Sequence, residues 1–277
     1  MSSKKKQNKR IRESMKFFFS YFFPLILFDL IRYFRGILLN LPNFLKIKKN
    51  NHVKDSKFGK KVFVIANGPS LNNFNKSLLF GKEVIVMNNF HLCEWKHKVS
   101  IVAHCIGEPK TSSHWGKDQI EIMLGTDSDS YWYHFSNAKE VESSEISLNN
   151  NCYFAAPVIP PGLWRSDKKV DLSSLVLGYE STSQLAIMVA LHLGYKDICL
   201  IGFDHDWLAN RNISPHFYKE REGVKKADLS FRSYYEIINI SKSLWEGYIK
   251  IKSSSIKSGA KITNLSNPTY LDVFDDI

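Results

Sequence analysis

The sequence is poor in cysteine, and no two of its cysteines share Cys-x-x-Cys spacing. Cys93, Cys105, Cys152 and Cys199 stand far apart. That argues against a disulfide framework or a cysteine zinc site and fits a reducing cytosolic setting. The sequence also lacks an apolar run of the ~20 residues that a membrane-crossing helix needs. The most apolar stretch, residues 17–28, is too short. A span extended to Leu41 would carry Asp29, Arg32 and Arg35 into lipid, at about 2.5–3.5 kcal/mol each near the centre. No small-residue cleavage site follows, so the stretch does not read as a secretory signal. There are no internal repeats.

Basic excess is missing from most of the chain as well. The formal net charge is +11, but residues 1–61 hold 16 Lys and Arg against 3 Asp and Glu. Of the chain totals of 38 and 27, this leaves 22 basic and 24 acidic residues in the remainder. A nucleic-acid-binding domain carries its basic patch on the fold, and here the fold is nearly neutral. The length of 277 residues and 44% hydrophobic content suit one large α/β domain with an extension. We divide the chain into a basic, aromatic extension and linker over 1–55, with Asn50-Asn51-His52 as its polar end, and a nucleotide-binding domain over 56–277.

The extension opens with Lys4, Lys5, Lys6, Lys9, Arg10, Arg12 and Lys16, followed by Phe17-Phe-Phe-Ser-Tyr-Phe-Phe. Lysines meet lipid phosphate and aromatics sit at headgroup depth. Residues 1–41 therefore read as an amphipathic helical anchor on an anionic membrane surface. The competing reading is a basic tail leading into a helix packed on the domain.

The domain is organised around Lys61-Val-Phe-Val-Ile-Ala-Asn-Gly-Pro-Ser70. A short apolar run ends in a turn, and the pattern predicts a buried strand and then a helix over 70–80. Gly68 permits close backbone approach, Pro69 suits a first helical turn, and Ser70 can cap. Such a turn either binds a phosphate with its free N–H groups or is an ordinary strand-to-helix connection. Further short apolar runs predict strands over 84–87, 99–103, 120–124, 197–202 and 261–265. Helices are expected over 181–193, stopped by Gly194, and over 229–257, and a closing helical turn over 270–274. Residues 125–176 are less regular. The spacing of runs predicts a mostly parallel, Rossmann-like sheet flanked by helices. Ligands of open α/β sheets sit outside the carboxyl ends of the strands. That puts 67–70, 88–89 and 203–207 at one edge.

Several side chains there could carry chemistry. Asp204-His205-Asp206 resembles a metal-holding Asp-x-Asp, and equally a loop in which Asp204 accepts backbone N–H groups. His216, in a polar loop near that edge, is the candidate general base, because an imidazole can take a hydroxyl proton near neutral pH. Ser181 and Thr182 could hold phosphate or cap a helix. Asn88 could bond a base or ribose, or simply form a turn. His192 reads as structural.

Asn67-Gly-Pro-Ser70, Met87-Asn-Asn-Phe90 and the block from Ser181-Thr-Ser-Gln184 to Gly202-Phe-Asp204 together resemble the bacterial sialyltransferases of the Campylobacter type. They equally resemble a neighbouring family related to the archaeal 6-hydroxymethylpterin diphosphokinase. His216-Phe-Tyr218 and Tyr270-Leu-Asp-Val-Phe274 add to the likeness, which spans 61–274. It implies a glycosyltransferase fold using a CMP-activated sugar without an essential metal, with Asn67, Gly68, Asn88 and Thr182 lining the nucleotide and His216 as base. Tyr179 stands where the family has an arginine, and its two leaving-phosphate tyrosines fall near Asp206 and Asn212. Tyr218, Lys219 or Arg211 would then steady the leaving group. The implied protein is a peripheral enzyme at the inner face of the cell membrane, adding a sialic-acid-like sugar to a surface glycan acceptor such as lipopolysaccharide or capsule. The alternatives are pyrophosphate transfer from ATP, with Asp204 and Asp206 holding magnesium, and an inactive nucleotide-binding scaffold.

Overall fold

The structure is a computed structural model, which describes residues 25–40, 44–109, 125–144, 151–160, 163–164, 168–209, 216–218 and 233–274. The described residues form one parallel sheet of eight strands: β1 (Lys61–Ile65), β2 (Glu83–Met87), β3 (Ser100–Ile106), β4 (Tyr131–His134), β5 (Cys152–Ile159), β6 (Leu175–Leu177), β7 (Asp197–Ile201) and β8 (Lys261–Asn264). Their order is β6-β5-β4-β3-β2-β1-β7-β8, and every pairing is parallel. This is the Rossmann-like α/β architecture that the spacing predicts. The expected strand over 120–124 lies outside the described residues.

Among the described residues, five α-helices accompany the sheet: α1 (Leu25–Asn40), α2 (Phe44–Lys48), α3 (Ala138–Glu142), α4 (Thr182–His192) and α5 (Tyr234–Lys257). Each strand of the sheet's centre is apolar on both sides, so both faces must be covered. Val62 and Val64 of β1 face the layer containing α4, while Ile65 faces a second cluster with Leu71, Leu79 and Phe90. All eleven residues of α4 are buried, its apolar run over 185–191 together with the polar Thr182, Ser183, Gln184 and His192. Gly247 of α5 lets that helix close onto α4: a Cβ there would meet Gln184 Nε2 at 2.2 Å. Gln184 Nε2 donates to the Leu244 carbonyl at 2.9 Å across the same crossing. The four cysteines are buried free thiols.

Two segments differ from the expectation. The 70–80 helix is replaced by two 3-10 turns, Pro69–Asn72 and Lys76–Leu79. Asn75 causes the interruption, because its side chain accepts from Ser77 N, giving the backbone a local partner that competes with a helix. The polar stretch at 50–52 is a 3-10 turn (Lys49–His52) packed into the fold. Asn50 is fully buried, and its Nδ2 donates to the carbonyls of Phe154 and Leu172 at 2.8 and 2.7 Å. His192 Nε2 donates to the Asn50 carbonyl at 3.0 Å, while its Nδ1 accepts from Leu172 N. His192 is thus a structural clamp, as its place on a buried helix suggests.

Candidate functional site at the carboxyl edge of the sheet

The strand order reverses at β1. The chain lays β2 to β6 successively on one side of β1, then returns to add β7 and β8 on the other. A crevice outside the strands' carboxyl ends is expected at such a switch point. Asn67-Gly68 and Gly202-Phe203-Asp204 occupy it. Ala66 N donates to Ile201 O at 2.8 Å and Gly68 N to Gly202 O at 3.0 Å, so the pairing of β1 with β7 runs on past both strands. The approach is close enough to require glycine on each side. A Cβ on Gly68 would lie 2.4 Å from Gly202 O, and one on Gly202, at φ +75°, would lie 2.5 Å from Ala66 O.

Asp204 closes the turn from below. It is 3% exposed. Its Oδ2 accepts from Ser70 N at 2.7 Å, its Oδ1 from the Ser70 hydroxyl, and its backbone carbonyl from Tyr270 N. Burial raises the pKa of its carboxyl, and the Ser70 hydrogen bonds oppose that rise. Ser70 and Asp204 therefore satisfy each other, and the turn's first free N–H is aimed at a carboxylate. Asp204 thus accepts a backbone N–H, as a loop carboxylate does. Among the described residues, no three His, Cys, Asp or Glu side chains are grouped to hold a metal ion.

Asn67 is different. It is 7% exposed, and among the described residues neither Nδ2 nor Oδ1 has a hydrogen-bond partner. A buried carboxamide left unpaired costs about 1–3 kcal/mol. Its backbone carbonyl accepts from Phe217 N at 2.8 Å, which ties the segment carrying His216 to the same turn. Phe217 packs against the cluster of Ile65, Leu71 and Phe90. His216 stacks on Tyr218 with ring centroids 5.0 Å apart and planes 9° apart, and Tyr218 Oη accepts from Asn89 Nδ2 at 2.8 Å. Distant in sequence, Asn67, Asn89, His216 and Tyr218 thus meet at one edge. Arg211 and Lys219 lie outside the described residues.

Asn88, at the end of β2, holds a left-handed backbone with φ +47°. Such a conformation in a non-glycine residue needs support from its surroundings. His104 of β3 supplies it: Nε2 donates to the Asn88 carbonyl at 2.8 Å while Nδ1 accepts from the Thr126 hydroxyl at 2.8 Å. His104 is fully buried, and burial holds its pKa down to about 4. It was not recognisable in the sequence, where it carries no ligand spacing. The consequence is a pH dependence. The folded pKa lies below the ordinary 6.5, so this contribution to stability is complete above about pH 6.5 and is lost as pH falls towards 4. Protonation would cost up to about 3 kcal/mol at 1.36 kcal/mol per pH unit. His104→Gln should flatten the fall in Tm between pH 6.5 and 4; an unchanged acid limb would contradict the assignment.

Thr182 and Ser181 are largely committed within the protein. Thr182 Oγ1 accepts from Gly107 N at 3.1 Å, binding the start of α4 to the end of β3. The Ser181 and Ser183 hydroxyls pair with each other, Ser183 pairs with Tyr248 Oη at 2.7 Å, and Tyr248 with His205 Nε2 at 2.9 Å. This buried chain joins the start of α4 to the loop after β7. Burial pushes the pKa of His205, like that of His134, down to about 4. Tyr179 ends with a hydroxyl that is buried without a partner, and burial raises its pKa well above the usual value. Its ring lies against Gly107 and edge-on to His134.

The described residues define an α/β protein with one all-parallel, Rossmann-like sheet and buried polar side chains at its switch point. Compared with known proteins, the chain matches no family model, and no curated protein is recognisably similar to it.

Proposed function

We propose that the chain is a nucleotide-dependent transferase that moves a sialic-acid-like sugar from a CMP-activated donor to a hydroxyl of a surface glycan. One observation carries the reading: the buried, unpartnered carboxamide of Asn67 at the switch point, with the His216 segment hydrogen-bonded to the same residue. A carboxamide offers one donor group and one acceptor, which suits a base or ribose edge. Asn88 and Asn89, at the end of the neighbouring strand β2, continue the edge.

In the reaction, His216 Nε2 or Nδ1 takes the proton of the acceptor hydroxyl. The acceptor oxygen bonds to the anomeric carbon as the bond from that carbon to the phosphate oxygen breaks. CMP leaves with the electron pair, and the single displacement inverts the centre. Tyr218, held by Asn89, would donate to the leaving phosphate, assisted by Lys219 or Arg211. Ser181 and Thr182 would support the crevice wall rather than hold phosphate directly.

The resemblance to a diphosphokinase receives less support, because both Asp204 oxygens are taken by Ser70. The two readings separate in a thermal-shift titration with CMP, CDP, UDP and ATP, each with and without magnesium. Stabilisation by CMP without metal is expected. Stabilisation by ATP only with magnesium would favour pyrophosphate transfer. His216→Ala should leave CMP binding unchanged and lower transfer at least a hundredfold, the usual scale for a general base. Unchanged transfer would remove His216 from the mechanism, and CMP binding with no transfer by the intact chain would favour the scaffold reading.

A further inference from the structure

The geometry points to α1 as a membrane-docking helix whose outer face enters an anionic lipid bilayer. Surface helices turn apolar side chains inward and polar ones to water. On α1 five large apolar side chains face outward. Leu27, Leu30, Ile31, Phe34 and Leu38 are exposed, with Ile31 57%, Phe34 58% and Leu38 67% accessible. At 3.6 residues per turn these five positions fall within about 100° of arc. They form a stripe along the whole helix.

The opposite face is held by the fold. Tyr33 packs on the main core, and a Cβ on Gly36 would lie 3.3 Å from Val158. The helix is therefore fixed with its apolar stripe outward. Among the described residues, no helix is long and apolar enough to cross a membrane. A stripe of this width on a docked helix suits an interfacial position instead.

The occupant follows from charge. Seven Lys and Arg lie within residues 4–16, upstream of the stripe, against Glu13 alone. Each basic side chain near an anionic surface adds attraction that salt screens. An anionic bilayer matches this combination of basic charge and apolar stripe.

Val158 lies near the carboxyl end of β5, and in a parallel sheet all carboxyl ends share one edge. The face of α1 opposite the stripe therefore meets the sheet near its carboxyl edge at β5, four strands from β1. The docking itself does not rest on the nucleotide reading and is tested without nucleotide.

The test is co-sedimentation of the full chain with phosphatidylcholine vesicles, with and without phosphatidylglycerol. Binding is expected only with phosphatidylglycerol and should weaken as salt is raised. The double variant Ile31→Glu, Phe34→Glu changes only exposed positions. It should retain the wild-type Tm and bind anionic vesicles at least about tenfold more weakly. Equal binding by the variant, or equal binding to both vesicle types, would overturn the proposal. So would a stable dimer that the variant converts to monomer while the wild type ignores vesicles, since the stripe would then face a second copy. Should the double variant misfold, Phe34→Trp decides alone: brominated lipid is expected to quench its fluorescence, and unquenched emission would refute insertion.

Discussion

Gly68→Ala is expected to destabilise the protein by about 3 kcal/mol, at the upper end of overpacking costs, and to abolish nucleotide binding in the folded fraction. The added methyl would lie 2.4 Å from Gly202 O and 2.6 Å from Asp204 Cγ. A flexible side chain could move aside from such a contact. Here the obstacles are a backbone carbonyl and a carboxylate already fixed by Ser70. The turn must therefore lift, taking Asn67 and the hydrogen bond from Phe217 N with it. Gly81→Ala is the control. It also has positive φ, at +68°, but a Cβ there meets nothing within 4 Å. Its cost is limited to the left-handed penalty of about 1–2 kcal/mol. Denaturant unfolding of the two variants checks this. Equal losses would mean that the close approach at Gly68 does not govern the turn.

Asp204→Ala should cost about 2–3 kcal/mol, because it leaves Ser70 N–H buried without an acceptor and frees the turn from β7. The cost should also depend on pH. Burial raises the folded pKa of Asp204 above its ordinary value of 3.8. For a raised pKa the associated stability is complete below the unfolded pKa and declines as pH rises through the folded one. The wild type therefore loses part of this contribution on going from pH 4 to pH 7, and the variant does not. The difference in unfolding free energy between the two should be larger near pH 4. The histidines titrate alike in both proteins, so they cancel. A larger difference at pH 7 would mean that the Ser70 hydrogen bonds outweigh burial.

Much of the fold is legible in the sequence because its centre is made of unbroken apolar runs. β1, β2, β3, β7 and β8 and the buried α4 follow from run length and spacing. The distal strands β4 to β6 are not legible. β4 is Tyr131–His134, aromatic and polar, β6 is only Leu175–Leu177, and β5 contains Pro157. Proline is tolerated there because the pairing of β5 with β6 is irregular between Ala156 and Ile159. At the interruption within 70–80, Asn75 Oδ1 accepts from the Ser77 N–H and hydroxyl, which composition does not reveal.

At the site, the sequence identifies Asn67, Asn88 and His216 by their position at strand ends or in a nearby loop. It cannot reveal that Asn67 has no partner, because that depends on what fails to surround it in three dimensions. Nor does it reveal that His104 is the residue holding Asn88 in its left-handed conformation, since a histidine within an apolar strand gives no sign of which backbone group it will meet. The assignment of Ser70 shifts for the same reason: its hydroxyl and N–H face Asp204, a residue 134 positions away.

The central claim is that the orphaned Asn67 carboxamide exists to bind nucleotide. Isothermal titration of CMP into the wild type and Asn67→Ala, without divalent metal, tests it most directly. The prediction is that the variant keeps or raises the wild-type Tm, since it removes a buried unpaired amide, while CMP binding weakens at least about tenfold through the loss of charge-neutral hydrogen bonds worth roughly 1–3 kcal/mol. Unchanged CMP affinity in the variant, or no CMP binding by the wild type, would contradict the claim.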